Sequence, residues 1–144
     1  MDERLSLRPD WNGISANVFL KQTLARHRKK EAAVLGITEK NIVPSASYNF
    51  LFGYAYLGLP AATASIHPLA DDKPSERVLA ERLAKIALHE LGHSFGLDHH
   101  DYEEEIDCLM VGDASVDCTE TVDSGGIRFC KPCGAAIRKK LRRW

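Results

Sequence analysis

Apolar residues along this chain recur at two different periods, and the change of period marks its elements. Across residues 76–95, Leu79, Leu83 and Ile86 fall at the spacing of one helix face, with Ser75 in front as an N-cap. A second helix is predicted over residues 15–30, where Val18, Leu20 and Leu24 supply a modest apolar side and ARHRKK a basic end. Residues 32–37 read as a short apolar strand closed by Gly36 and Thr38, and residues 48–57 as a longer aromatic strand whose Tyr and Phe belong to the core. Residues 61–67 alternate weakly, as a further strand would. Residues 68–74, with Asp71 and Asp72, read as a loop. A last helix is predicted to begin at Pro132 and Cys133, with Ile137, Leu141 and Trp144 on one face. The fold class is α/β (α+β), a mixed twisted sheet packed on the long helix.

That helix carries the chemistry, in HELGHSFGLDH at residues 89–99. Positions four apart share a helix face, so His89 and His93 can aim ring nitrogens at one ion. Glu90, beside the first of them, stands where a carboxylate reaches a metal-activated water rather than the metal, which is the general-base position. Gly96 can take the left-handed conformation that closes a helix and redirects the chain, returning His99 as third ligand. Three neutral imidazoles leave a zinc ion its full charge and one open position, as hydrolysis requires. HELGH by itself is a weak signal, since a histidine on an amphipathic helix is ordinarily a core or surface residue. Gly96 and His99 add two independent requirements. His27 and His67 have no such partners and read as structural or surface residues.

Beyond His99, HHDYEEEIDCLM leads to Cys108 and Met110, and FCKPCG presents Cys130 and Cys133. A CxxC pair with a further cysteine upstream reads as a zinc knuckle plus distal ligands. At the start of the last helix, Cys133 is expected to favour thiolate. The bland reading makes Cys108 and Cys118 buried thiols that pack as small hydrophobes, and Met110 a core filler.

An HExxHxxGxxH helix followed by Cys-x-Met and CxxC resembles the archaemetzincin family of metzincin-like zinc metallopeptidases. VLGIT at residues 34–38, FLFGYA at 50–55 and ALHELGH at 87–93 are also similar to that family's pattern, so the resemblance runs from about residue 9 to the end. It implies a catalytic zinc on His89, His93 and His99, a second, structural zinc on four cysteines, and Met110 as the methionine turn beneath the first ion. It also implies a metzincin-like zincin domain over residues 1–144. An N-terminal subdomain, 1–99, ends in the zinc helix, and a small zinc-bound subdomain, 100–144, carries the final helix. Residues 61–67 are then the edge strand beside the cleft, able to hold an extended peptide by main-chain hydrogen bonds.

Two departures stand out. Where the family has its first structural cysteine, this chain has His100 and a longer acidic loop before Cys108, so either His100 or Cys118 completes the second site. Family members also carry a further strand and helix before the segment WNGISANVFLKQTL, whereas here only MDERLSLRP precedes it. Leu5 and Leu7 alternate as a short strand would, but the sheet is expected to lack one strand, or the start to be truncated.

Composition narrows the function. With 44% hydrophobic and 27% charged residues, the 144-residue chain has the makings of a globular domain rather than a disordered one. A net charge of −1 gives no global pull towards nucleic acid or anionic membrane. The basic tail IRKKLRRW reads as a solvated helix face, and the acidic run at residues 101–107 as an exposed loop that, lining the cleft, would favour a positively charged substrate residue. No leader or spanning segment is evident, so a cytoplasmic monomer is expected, whose cysteines serve as metal ligands rather than disulfides. The partner is a peptide or protein substrate, with neither nucleic acid nor membrane. Three classes compete: a peptidase, a zinc-structured interaction module and a nucleic-acid binder. Glu90 separates them, because a structural site gains nothing from a carboxylate beside its first ligand.

Overall fold

The structure, a computed structural model, describes residues 13–44, 50–100, 107–112 and 119–143. Leu5, Leu7, Cys118, Trp144 and all of the acidic run except Asp107 lie outside the described residues.

Helix α1 (Ala16–Leu24) buries Ala16, Leu20 and Thr23, one stripe at helical spacing. It stops short of residue 30 because no large apolar side chain extends that stripe through the basic residues that follow. Strand β1 (Gly13–Ser15) pairs in parallel with β3 (Asn41–Val43). The larger sheet has the order β2 (Val34–Thr38), β5 (Ala61–Ser65), β4 (Gly53–Ala55). In it β5 runs parallel to β2, with Gly36 opposite Thr63, and antiparallel to β4, with Gly53 opposite Ala64.

The sheet carries α1 on one face and α2 (Glu76–Ser94) on the other. A Cβ at Gly36 would meet Thr23 and Phe19 of α1, and one at Gly53 would meet Glu90 of α2, so Thr63 points towards α1 and Ala64 towards α2. Ala64 accordingly joins Phe52, Leu69 and Ile86 in one buried cluster, with Leu79 and Leu83 packed against it. A second cluster, Ile14, Ala16, Ile42 and Leu51, lies with Phe19 and Tyr54 on the α1 side.

Residues 61–65 are thus the centre of this sheet, not the edge strand of the sequence reading. All five are buried, and a strand covered on both faces loses the alternation that identifies a half-exposed one. The cleft-side strand is β4; of the predicted 48–57, residues 48 and 49 lie outside the described residues, and among the described ones the chain bends at Phe52, before which Leu51 bridges to Ile42. A 3-10 turn (His67–Ala70) occupies part of the predicted loop.

Helix α2 starts where Ser75 Oγ accepts the Val78 N–H at 3.3 Å. It ends in a Schellman turn: Gly96 N–H donates to His93 O at 2.9 Å, Leu97 N–H to Gly92 O at 3.0 Å, and Gly96 has φ +88°. Two bonds fix this end, Ser94 Oγ donating to Ala61 O of β5 at 2.9 Å and Gly58 N–H, in the turn between β4 and β5, to His93 O at 2.9 Å. Lower on the helix, buried Arg82 holds Asp72, Asp123 and the Leu69 carbonyl, tying α2 to α3 (Thr119–Ser124). Helix α4 (Lys131–Leu141) buries Cys133, while Leu141 is exposed rather than packed.

Candidate active site and metal centres

The turn at Gly96 brings His99 back against the helix. His93 Nε2 lies 3.1 Å from His89 Nε2 and 3.0 Å from His99 Nε2, and the third side of the triangle is 3.2 Å. The protonation pattern follows from the partners. His89 Nδ1 sits 2.6 Å from the Leu109 carbonyl and His93 Nδ1 2.7 Å from the Leu97 carbonyl; a carbonyl only accepts, so each Nδ1 carries the hydrogen. Each Nε2 therefore presents a lone pair, and these meet at a separation that repels unless a cation lies between them. Zinc–nitrogen bonds of about 2.0–2.1 Å in a tetrahedron set ligand nitrogens about 3.3 Å apart, so the donor set fits zinc.

Glu90 is buried and lines a cleft of about 290 Å³ together with His93, His99, Gly53, Ala55 and Leu51. Room for it is made by Gly53, where a Cβ would lie 2.5 Å from Glu90 Cγ and 2.9 Å from Oε1. The other face of the helix is closed by Met110, fully buried, whose Sδ would lie 2.5 Å from a Cβ on Gly92.

A second group forms from His100, Cys108, Cys130 and Cys133, whose ligand atoms all fall within 4.8 Å of one another. His100 Nε2 is 3.2 Å from Cys133 Sγ and 3.4 Å from Cys130 Sγ. Of the two residues open for the fourth position, His100 is brought to the thiols, and Cys118 lies outside the described residues. Three thiols and one imidazole are a donor set suited to a closed zinc site. The thiolate preference falls on the other member of the CxxC pair. Burial raises the Cys130 thiol, but hydrogen bonds from Cys133, His100 and Cys108 outweigh it and bring Cys130 down to about 7. Burial, then the bond with Cys130, pushes Cys133 up to about 12. Cys133, expected to favour thiolate, is thus the harder of the two to ionise, burial being the first cause.

Sequence reasoning missed the carbonyls of Leu109 and Leu97, which are main-chain groups on unremarkable residues. It also missed the cleft wall built by Tyr54, whose hydroxyl donates to Asn17 Oδ1 at 2.9 Å beside Tyr56. Burial, and next the Tyr56 hydroxyl, raise the Tyr54 phenol to about 12 and keep it neutral. His27 Nε2 lies 2.7 Å from the Glu31 carbonyl, a local structural bond, and His67 is exposed.

Comparison with known proteins bears on all of this. The sequence pattern of peptidase family M54 matches residues 23–139. The archaemetzincin of Pyrococcus furiosus is 34% identical over 125 residues, covering 84% of this chain and 62% of that protein. That of Archaeoglobus fulgidus is 36% identical over 104 residues, 72% of this chain and 59% of its own. The chain thus spans about three fifths of the length of these curated relatives. Among solved structures, the archaemetzincin of Methanopyrus kandleri superposes with a TM-score of 0.79 at 27% identity, over 99% of this chain and 73% of that one. The Archaeoglobus fulgidus archaemetzincin crystallised with malonate gives 0.67 at 28%, over 87% and 70%. The mixed sheet, the helix that bears the histidines and the cysteine-bearing end are therefore those of the archaemetzincin fold, and the chain belongs to peptidase family M54.

Proposed function

We propose that this chain is a zinc-dependent peptidase in which His89, His93 and His99 hold the catalytic ion and Glu90 is the general base. In the same reading His100, Cys108, Cys130 and Cys133 hold a second, structural ion, and Met110 forms the methionine turn. The observation that carries the proposal is the convergence of three Nε2 atoms at 3.0–3.2 Å beside a buried carboxylate on a cleft. Bound there, zinc supplies a Lewis acid that polarises a carbonyl and acidifies water.

The residues do the rest. Glu90, held between α2 and Gly53, accepts a proton and delivers it to the leaving amine. An extended substrate is aligned by β4: Ser65 N–H donates to Phe52 O at 2.8 Å, so in the antiparallel ladder Gly53 and Ala55 turn their N–H and C=O away from β5, on the cleft side. Tyr54 and Asn17 stiffen that strand from behind.

The substrate is a peptide or protein. No helix among the described residues is long and apolar enough to cross a membrane. Thiols gathered as ligands suit a reducing compartment, and we place the chain in the cytoplasm as a monomer, one domain divided at His99.

The test is hydrolysis of a mixed peptide library by the purified chain, with cleavage products read by mass spectrometry. Cleavage abolished by a chelator and restored by zinc supports the proposal. Zinc-loaded, folded protein that leaves every peptide intact refutes it and leaves a zinc-structured interaction module.

A further inference from the structure

Three consecutive residues, Cys108, Leu109 and Met110, belong to both metal centres at once. Cys108 Sγ stands among the ligand atoms of the thiol cluster. The next carbonyl, that of Leu109, receives the Nδ1 hydrogen of His89 at 2.6 Å. Met110 then seals the helix under Gly92. Cluster residues and their neighbours grip the same run from both sides. His100 N–H donates to Met110 O at 2.7 Å, Leu109 N–H donates to the carbonyl of Arg128, two residues before Cys130, at 2.8 Å, and Val111 N–H closes the turn on Cys108 O at 3.1 Å.

We infer that the Leu109 carbonyl is a positioning group for the catalytic metal, and that it is held in place by occupancy of the Cys₃His cluster. This rests on the proposed reading of both centres as metal sites. Beyond its main-chain bonds to His100 and Arg128, little else among the described residues holds the turn. The buried members of the local core are Cys108, Met110 and Cys133, with Leu97, Val111, Phe129 and Cys130 only partly covered. Two of the three buried members are themselves thiol ligands, so burial alone is a thin anchor and the cluster is the principal cross-link between the turn and α4. A carbonyl on Nδ1 fixes the ring's orientation and raises the basicity of Nε2, and loss of such a partner costs a metal site about 10–100-fold in affinity.

The two helix histidines differ in a way that makes the inference sharp. His93 donates to the Leu97 carbonyl, which the main-chain bonds of the Schellman turn on its own helix hold, although the Leu97 side chain packs against the cluster. His89 reaches across to Leu109. Emptying the cluster should therefore loosen one imidazole and spare the other. Linkage requires the converse as well: an ion on the histidines tightens the cluster by the same factor.

The test compares the parent with Cys130→Ser, which leaves Cys108, Leu109 and Met110 unaltered. Cobalt affinity at the histidines is measured by its absorption, separated from thiolate-to-cobalt charge transfer at the cluster, and the imidazole Nδ1 hydrogens are followed by ¹H–¹⁵N NMR. Expected are an affinity at least about tenfold weaker in the variant, faster solvent exchange of the His89 hydrogen and no change at His93. Affinity within about twofold of the parent, or loss of both ring hydrogens together, overturns the inference. Should Cys130→Ser fail to fold, the same two hydrogens are compared in the parent with the cluster filled by thiolate-preferring Cd²⁺ and with it stripped; exchange unaltered at His89 is then the contrary result. A parent that binds no cobalt at its histidines sinks the proposed function itself, whereas binding indifferent to the cluster sinks only the coupling.

Discussion

Gly53 and Glu90 occupy one another's space: a Cβ on the strand residue would lie 2.5 Å from Cγ of the helix carboxylate. The side chain that performs the proposed proton transfer is thus placed by the absence of one on β4. Gly53→Ala is expected to displace Glu90 and cost about 1–3 kcal/mol in stability, the usual penalty of overpacking. Peptide turnover should fall at least about 100-fold, the scale of a lost general base, while zinc stays bound because the histidines touch other groups. Urea unfolding, metal analysis and a peptide assay on one preparation check all three.

At the helix end the constraint is conformational. Gly96 has φ +88° and, among the described residues, only Lys140 Nζ, at 3.7 Å, near an added Cβ, so Gly96→Ala meets backbone strain rather than a clash. We expect a loss of about 1–2 kcal/mol by urea denaturation. Weaker zinc binding should accompany it, since the same turn carries His99 and the Leu97 carbonyl that orients His93.

The second site gives a contrast between two residues. His100→Ala should lower the zinc content of the purified chain from two ions to one and abolish thiolate-to-cobalt absorption, because the imidazole lies 3.2–3.4 Å from two thiol sulfurs. Cys118→Ser should leave both ions in place. The reverse result would give Cys118 the fourth position.

Arg82 predicts a pH dependence. Hydrogen bonds to its guanidinium hold the carboxyls of Asp72 and Asp123 below their ordinary value of 3.8, so in the folded chain they stay charged where unfolded ones protonate. The pairing stabilises fully above the unfolded carboxylate range and is lost as pH falls from about 4 towards the lower folded values. Arg82→Leu should cost about 1–3 kcal/mol near neutrality, chiefly for the Leu69 carbonyl left without its donor. The gap between parent and variant in urea midpoint should narrow from pH 5 to pH 3. A constant gap would remove the ion pairs from the account.

The sequence disclosed what local rules govern. Ser75, the apolar face and Gly96 marked α2 to within a residue, and the four- and six-residue steps after His89 were enough to gather three rings. What it hid was tertiary. The small residues of β5 look like a weak edge because both of their faces are covered, by α1 and α2. No spacing rule exposes a main-chain acceptor such as that of Leu109, or a glycine such as Gly53 whose role is to be small. Bringing His100 to Cys130 and Cys133 needed the turn at residues 108–112, which no spacing rule places.

The central claim is that the histidines hold the ion and Glu90 moves the proton, and Glu90→Gln tests it most directly. Zinc content and peptide turnover are measured on the folded variant beside the parent. The expected result is unchanged zinc at the histidines with turnover reduced at least about 100-fold. Turnover at the parental rate, or loss of the histidine-bound zinc with the carboxylate, would contradict it.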